Sequence, residues 1–330
     1  MILNVAGLGI VSRIGGTSDI EKRLSGDLIE PELNGAGPHL DITFPGDSPF
    51  PEKLVRRMSH FARLSLLSAS LSMRDLGGPA PAASGKTMGI IQGSVYGPII
   101  SGIQALDDLI DFGDSQLSPT NFSGSVFNTS STCISLAYGI QGRTLSHTGG
   151  QDTLYNSLIT ADLWLESGEA DYVIVGIGDE YTSYFDGMPG AAGHAGVLFA
   201  DTEGWTTFIL TGGGKGRKYG RIELSVMKEL KYSENKNNIY SVWHKDLKPE
   251  IFSAHAGGNS ACSPAGLRGS YPCGQGFDLA LALICHKMKR FPVNKEGGGY
   301  RNVSLSQGSA VDCYGIAENG GIFHFGVSDA

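Results

Sequence analysis

What this sequence lacks narrows its function before any motif is considered. It has five cysteines in 330 residues (Cys133, Cys262, Cys273, Cys285 and Cys313), an odd number with no CxxC pair. That spacing argues against a disulfide framework or a structural zinc centre, and fits free thiols kept reduced in a cytoplasm. No apolar run approaches the ~20 residues that span a bilayer. The opening MILNVAGLGIVSRIGG lacks a basic start and a small-residue cleavage site, so it reads as a strand and turn rather than a signal peptide. Charged residues make up only 18% of the chain, and the formal net charge is −8. A negative balance of this kind argues against nucleic acid as a ligand. Disorder is excluded by the 41% hydrophobic content.

Glycine, in contrast, is abundant, with 48 residues and many pairs. It marks a turn-rich α/β chain with close backbone approaches. The length suits two domains of roughly 100–200 residues. Residues 2–12 read as a strand ending at Gly15-Gly16, followed by a short helix from Asp19 to Leu24. Helical spacing of apolar residues runs through 52–76 and stops at Gly77-Gly78. A loop over 77–85 leads to a strand at Thr87–Gln92 and a helix from Ile99 to Leu109. Further helices are expected at Ser131–Tyr138, Asp152–Glu166 and Phe277–Met288. Strands are expected at 143–147, 171–176, 222–226, 251–254 and 303–305. Alternating strands and helices make the chain α/β, and both halves repeat the order strand, glycine turn, helix, strand.

Several segments, in order, resemble the β-ketoacyl synthases of the thiolase superfamily. VAGLGIVSRIGG is similar to their first strand, RRMSHFARLSLLSASLSMRDLG to the helix that follows, MGIIQGSVYGP to the next strand and turn, and SPTNFSGSVFN to the segment before the helix near their dimer axis. The resemblance implies a thiolase fold, with two pseudo-duplicated α/β halves in a layered αβαβα arrangement. The halves would be residues 1–215 and a shortened 216–330.

In active relatives a cysteine begins a buried helix, where backbone N–H groups and the helix dipole favour the thiolate. Counting nine residues forward from Gly142, or seventeen back from Gly168, gives Gln151. A one-residue slip would expose Gly150 or Asp152, and neither is a nucleophile. A glutamine amide cannot attack a thioester, so covalent acyl transfer would fail here at its first step. Two roles remain open for Gln151: a hydrogen bond to an acyl carbonyl, or filling of the cysteine's place at the helix start.

By the same resemblance, IFSAHAGGN places His255 at the first catalytic histidine, where a hydrogen-bonded structural role is favoured. GSYPCGQG places Ser270 at the second histidine and Cys273 at a glycine. Ala265 falls about where the lysine stands, and LSQGSAVDC is the nearest text to the terminal glycine loop. His147 reads as a turn or interface residue and Cys133 as core or interface packing.

The resemblance implies a non-condensing chain-length-factor-type subunit. It would form a heterodimer with a cysteine-bearing ketosynthase, shape its acyl tunnel, and meet an acyl carrier protein mainly through that partner. Aryl-polyene and type II polyketide or fatty-acid-like pathways are the closest in text. Phe122, Val126 and Phe127 are the tunnel or interface candidates. No cofactor, metal ion or membrane span is expected. Two alternatives stand: a malonyl-carrier-protein decarboxylase using Gln151, which Ser270 argues against, and a homodimeric acyl-carrier-binding protein.

Overall fold

The computed structural model describes residues 2–26, 28–29, 38–46, 50–78, 86–150, 152–185, 202–213, 218–227, 237–241, 261–262, 267, 273–294, 300–306, 309–316 and 322–329. The chain opens with β1 (Ile2–Val11), α1 (Thr17–Ser25) and β2 (Leu28–Ile29). Next come α2 (Glu52–Val55), α3 (His60–Leu76), β3 (Met88–Ser94), α4 (Ile99–Phe112), α5 (Pro119–Gly124) and α6 (Thr129–Tyr138). Then follow β4 (Thr144–Thr148), α7 (Thr153–Glu166), β5 (Tyr172–Asp179), β6 (Gly204–Thr211), β7 (Arg221–Met227), β8 (Asn237–Ser241) and β9 (Ala261–Cys262). The last elements are α8 (Gln275–Met288), β10 (Arg290–Asn294), β11 (Tyr300–Ser304), β12 (Val311–Ile316) and β13 (Ile322–Ser328).

Ten strands join in the order β4-β3-β5-β6-β1-β7-β13-β12-β8-β9, and β10, β11 and β2 form a small separate sheet. The large sheet reads as two groups of five. In the first, β3 is parallel to β4 and β5, while β6 is antiparallel to β5 and β1. In the second, β8 is parallel to β9 and β12, while β13 is antiparallel to β12 and β7. The groups meet at three residue pairs, Ile2–Asn4 against Arg221–Glu223.

Strand alternation decides which core each side chain joins. Val173, Val175 and Ile177 of β5 and Phe208 and Leu210 of β6 enter a central core with Leu154 and Leu158 of α7 and Phe277–Cys285 of α8. Ile174 and Ile209 point the other way, onto Leu66, Ala69 and Met73 of α3 and Ile134 of α6. Helix α8 packs on both β6 and β12, and Tyr155 of α7 stacks on Phe323 of β13 at 4.6 Å. Two helices thus separate the two groups of strands, with α3 and α6 on the outer face of the first.

On β1, a bulge between Val5 and Gly7 shifts the register by one residue. Leu3, Val5, Leu8 and Ile10 therefore all face the central core, which strict alternation would forbid. Past the bulge, α3 lies directly on the strand. A Cβ on Gly9 would overlap Ser68 O and stand 2.5 Å from Ser72 N. The Ser68 hydroxyl donates to Gly9 O at 3.0 Å and to Thr207 Oγ1 at 2.8 Å, so small serines, rather than large apolar residues, line this helix–sheet seam.

Several expectations need correction. The helix expected over 52–76 breaks at residues 56–59, because the Ser59 hydroxyl accepts from Ala62 N and caps a new helix. Helix α5 was not anticipated; Ser118 accepts from Asn121 N and Pro119 sits at its first turn. The strand GWTTFILT was also missed, since its threonines interrupt the apolar run. They are nevertheless almost fully buried. Within LSQGSAVDC, Val311 and Cys313 are core residues of β12. The β12–β13 connection falls at 317–321, outside the described residues, as does the strand expected at 251–254.

Candidate functional site

The parallel trio β4-β3-β5 ends in one place. Ser94 pairs with Thr148 and Gly93 with both His147 and Ile177, so the carboxyl ends of three strands converge where α7 begins. In open α/β sheets this end is where ligands gather. Gly93 makes room for the helix, since a Cβ there would lie 2.7 Å from Thr153 Cγ2 and 2.6 Å from Ile177 Cδ1. The Thr153 hydroxyl donates to Gly150 O at 2.7 Å and fixes the turn into α7. Asp152 occupies the N-cap yet makes no side-chain cap; its carboxylate instead accepts from Asn156 Nδ2 at 2.9 Å.

A fully buried carboxylate ties this end together. Asp179 Oδ1 accepts from the Ser94 hydroxyl at 2.6 Å, Val95 N at 2.9 Å and Tyr96 N at 3.1 Å. Its Oδ2 accepts from Cys273 N at 3.0 Å. Burial pushes the Asp179 carboxyl upward, opposed by hydrogen bonds from the Ser94 hydroxyl, Tyr96 N, the Cys273 thiol and Val95 N. The residue thus clamps the turn after β3 to the approach of α8.

Burial disfavours the thiolate form of three cysteines. Burial, and then the Asp179 charge, push the Cys273 thiol well up, and burial raises those of Cys133 and Cys285. Cys133, Cys273 and Cys285 are free thiols. Cys133 is half-buried on α6, the helix bound to β4 through the Ser131–Ser146 hydroxyl contact at 3.1 Å.

Gln151 lies between Gly150 and the N-cap Asp152 in the chain, and it is outside the described residues, as are His255, Ser270 and Ala265. Of the interface candidates, Phe122, Val126 and Phe127 are 57%, 41% and 53% exposed. Leu106, Leu109, Ile110 and Phe112 of α4 are exposed as well. An open cavity of about 760 Å³ lies elsewhere, between β1, the start of α1 and Arg74–Asp75 of α3; none of Ser94, His147, Thr153 or Asp179 lines it.

A second polar cluster gave no signal in the sequence. Glu203, just before β6, is fully buried and receives His60 Nε2 at 2.7 Å, Leu40 N at 2.7 Å, Tyr181 N at 3.1 Å and His39 Nδ1 at 3.4 Å. Its three interacting segments come from residues 39, 60 and 181, so no local spacing announces it. Hydrogen bonding and the charge of His60 hold its carboxyl below the usual range despite burial. Neighbouring Glu180 goes the other way. Burial raises its carboxyl to about 7, against the Ile100 N–H and the charge of His60.

A carboxyl with a folded pKa above its unfolded one favours folding only while protonated. Its protonated form is fully retained below about pH 4.5, and the cost of ionising it grows up to about pH 7. Glu180→Gln is therefore expected to be neutral at pH 4.5 and stabilising above pH 7, by an amount on the order of 3 kcal/mol at most. Urea unfolding at the two pH values checks it; equal effects at both would show that Glu180 is not the titrating group.

The fold is a mixed α/β one of the thiolase-like kind seen in ketosynthases. Residues 48–186 match the family model described as β-ketoacyl synthase, N-terminal domain. The whole chain is similar to a type II polyketide synthase acyl-carrier protein in complex with its ketosynthase bound to the hexaketide, at 13% identity over 100% of this chain and 99% of that one (TM-score 0.76). It is also similar to the ishigamide ketosynthase/chain length factor, at 11% identity over 99% of both chains (TM-score 0.69). A third likeness is to a ketosynthase in complex with its chain length factor from Xenorhabdus doucetiae, at 14% identity over 98% of this chain and 99% of that one (TM-score 0.54). At such identities these likenesses establish the fold alone. No curated protein matches the chain by sequence. Among the described residues, no helix is long and apolar enough to cross a membrane.

Proposed function

We propose that this chain is a non-condensing, chain-length-factor-type subunit that pairs with a cysteine-bearing ketosynthase in polyketide or fatty-acid-like biosynthesis. The observation that carries the reading is the glutamine at position 151, one residue before the N-cap of the helix that leaves the convergent strand ends. A glutamine there leaves the helix terminus without a nucleophile. Chemistry then has to come from a partner, and an acyl carrier protein would dock mainly on that partner. The division at residues 215 and 216 into two thiolase-like halves belongs to the same proposal, supported by the matching strand orders of the two groups.

The partner surface we assign is the free edge of β4. This strand ends the ten-stranded sheet, and the helices on its two faces, α6 and α7, present Leu136 and Leu163 at 67% and 58% exposure. An edge strand flanked by apolar side chains is suited to a second sheet edge. Phe122, Val126 and Phe127 are exposed apolar side chains from α5 to the start of α6, and in this reading they would help shape a shared tunnel.

The test is co-expression with a cysteine-bearing synthase and a carrier protein encoded beside it. Co-purification, with condensation only in the pair, supports the reading. Leu136→Asp combined with Leu163→Asp should weaken the pair at least tenfold without lowering the melting temperature, since each leucine buried in an interface contributes about 1.5–3 kcal/mol. A monodisperse homodimer indifferent to every such partner sinks it. So does carbon dioxide release from malonyl-carrier protein by this chain alone that disappears in Gln151→Ala.

A further inference from the structure

We propose that His39, His60 and Glu203 form a binding site for a divalent transition-metal ion, Zn²⁺ in the first instance. One ligand atom from each lies within 4.8 Å of the other two. Around a tetrahedral zinc ion with bonds near 2.0–2.1 Å, donor atoms stand roughly 3.3 Å apart. The pair His60 Nε2 and Glu203 Oε1, at 2.7 Å, has to open slightly, and the His39 imidazole has to close in. The His39 side chain is 53% exposed, so its ring is free to make that adjustment.

Three features make this more than a chance meeting of side chains. The carboxylate is fixed from behind: Leu40 N donates to Oε1 and Tyr181 N to Oε2, leaving each oxygen a lone pair directed at a histidine. Backbone donors of this kind orient metal-ligating carboxylates. The histidine rings also meet one another beside the carboxylate. His39 meets His60 edge-on at 5.5 Å between centroids and Tyr181 edge-on at 5.2 Å.

The third feature is charge. Glu203 is fully buried, Glu180 is 3% exposed, and the Glu180 carboxyl feels the charges of both Glu203 and His60. Among the described residues, the ion-pair partners of Glu203 are His39 and His60, neither a permanent cation. A divalent ion would add a permanent positive charge beside this buried carboxylate. Two imidazole nitrogens and one carboxylate suit zinc, with the fourth position open on the exposed His39 side. This site is separate from the α7 terminus and does not depend on the assembly proposed above.

The experiment uses the full chain and Zn²⁺ itself, in competition with a chromophoric chelator at neutral pH, with Co²⁺ absorption as a second readout. One ion per chain is expected, with tetrahedral Co²⁺ bands. His39→Ala and His60→Gln should each lower the affinity at least tenfold. Zinc should raise the melting temperature of the wild type but not of His39→Ala. Because the His39 ring is exposed, that variant keeps the fold and decides the matter even if His60→Gln unfolds. No uptake by the wild type, or uptake unchanged in His39→Ala, overturns the site; the latter would point to binding through thiols such as Cys133.

Discussion

Gly9→Ala is expected to cost more than about 3 kcal/mol, enough to remove most of the stability of an ordinary domain. The new methyl group would meet the backbone of α3, at Ser68 O and Ser72 N, rather than the end of a flexible side chain. Neither partner yields alone, because α3 also packs on β6 and the Ser68 hydroxyl bonds across to Gly9 O, Trp205 O and Thr207 Oγ1. Relief requires the whole helix to lift, opening the outer core around Leu66 and Ala69. Gly46→Ala is the matching control: Gly46 is exposed with nothing within 4 Å, so its change should stay within about 0.5 kcal/mol. Denaturant midpoints of the two variants measure the difference. Equal midpoints would mean that α3 does not press on β1 as described.

The second large effect is expected at Asp179. Asp179→Ala removes the acceptor of one hydroxyl and three backbone N–H groups, all in or next to the core. An unsatisfied buried donor costs about 1–3 kcal/mol, so a total loss on the order of 4 kcal/mol is expected. Asp179→Asn keeps Oδ1 for three of the donors but turns an amide N–H₂ toward Cys273 N–H, and should lose about half as much. The distinguishing measurement is local. Hydrogen exchange at Val95, Tyr96 and Cys273 should accelerate in both variants, and at Cys273 most strongly relative to the others in the asparagine variant. Unchanged protection at all three amides would contradict the clamp.

Much of the first half was legible in the sequence because each element carried its own boundary signal. Helix α3 ends at Gly77 and β5 is a continuous apolar run, while α7 is framed by Gly149-Gly150 and Gly168. Strand β6 was not legible, because Thr206, Thr207 and Thr211 look like surface residues until Ser68 of a distant helix is found bonded to one of them. The continuous helix over 52–76 was misread for a related reason: its apolar spacing survives the break, and only the Ser59 cap reveals it. At the candidate site, Gln151 came from spacing and resemblance. Asp179 and the Glu203 cluster were invisible, since their partners are backbone N–H groups and histidines brought from remote segments. Backbone partners leave no trace in residue identity.

The position of β1 also constrains how the protein is made. This strand sits mid-sheet between β6 and β7, yet it is synthesised roughly 190 residues before the first of them. At about 5–20 residues per second, the ribosome needs on the order of 10–40 s to deliver that partner. Throughout that interval Leu3, Val5, Leu8 and Ile10 lack the part of the central core that β6, β7 and α8 supply. A nascent chain of this protein therefore carries a sticky leading strand for most of its translation, and slow decoding between residues 12 and 203 lengthens its exposure to holdase chaperones.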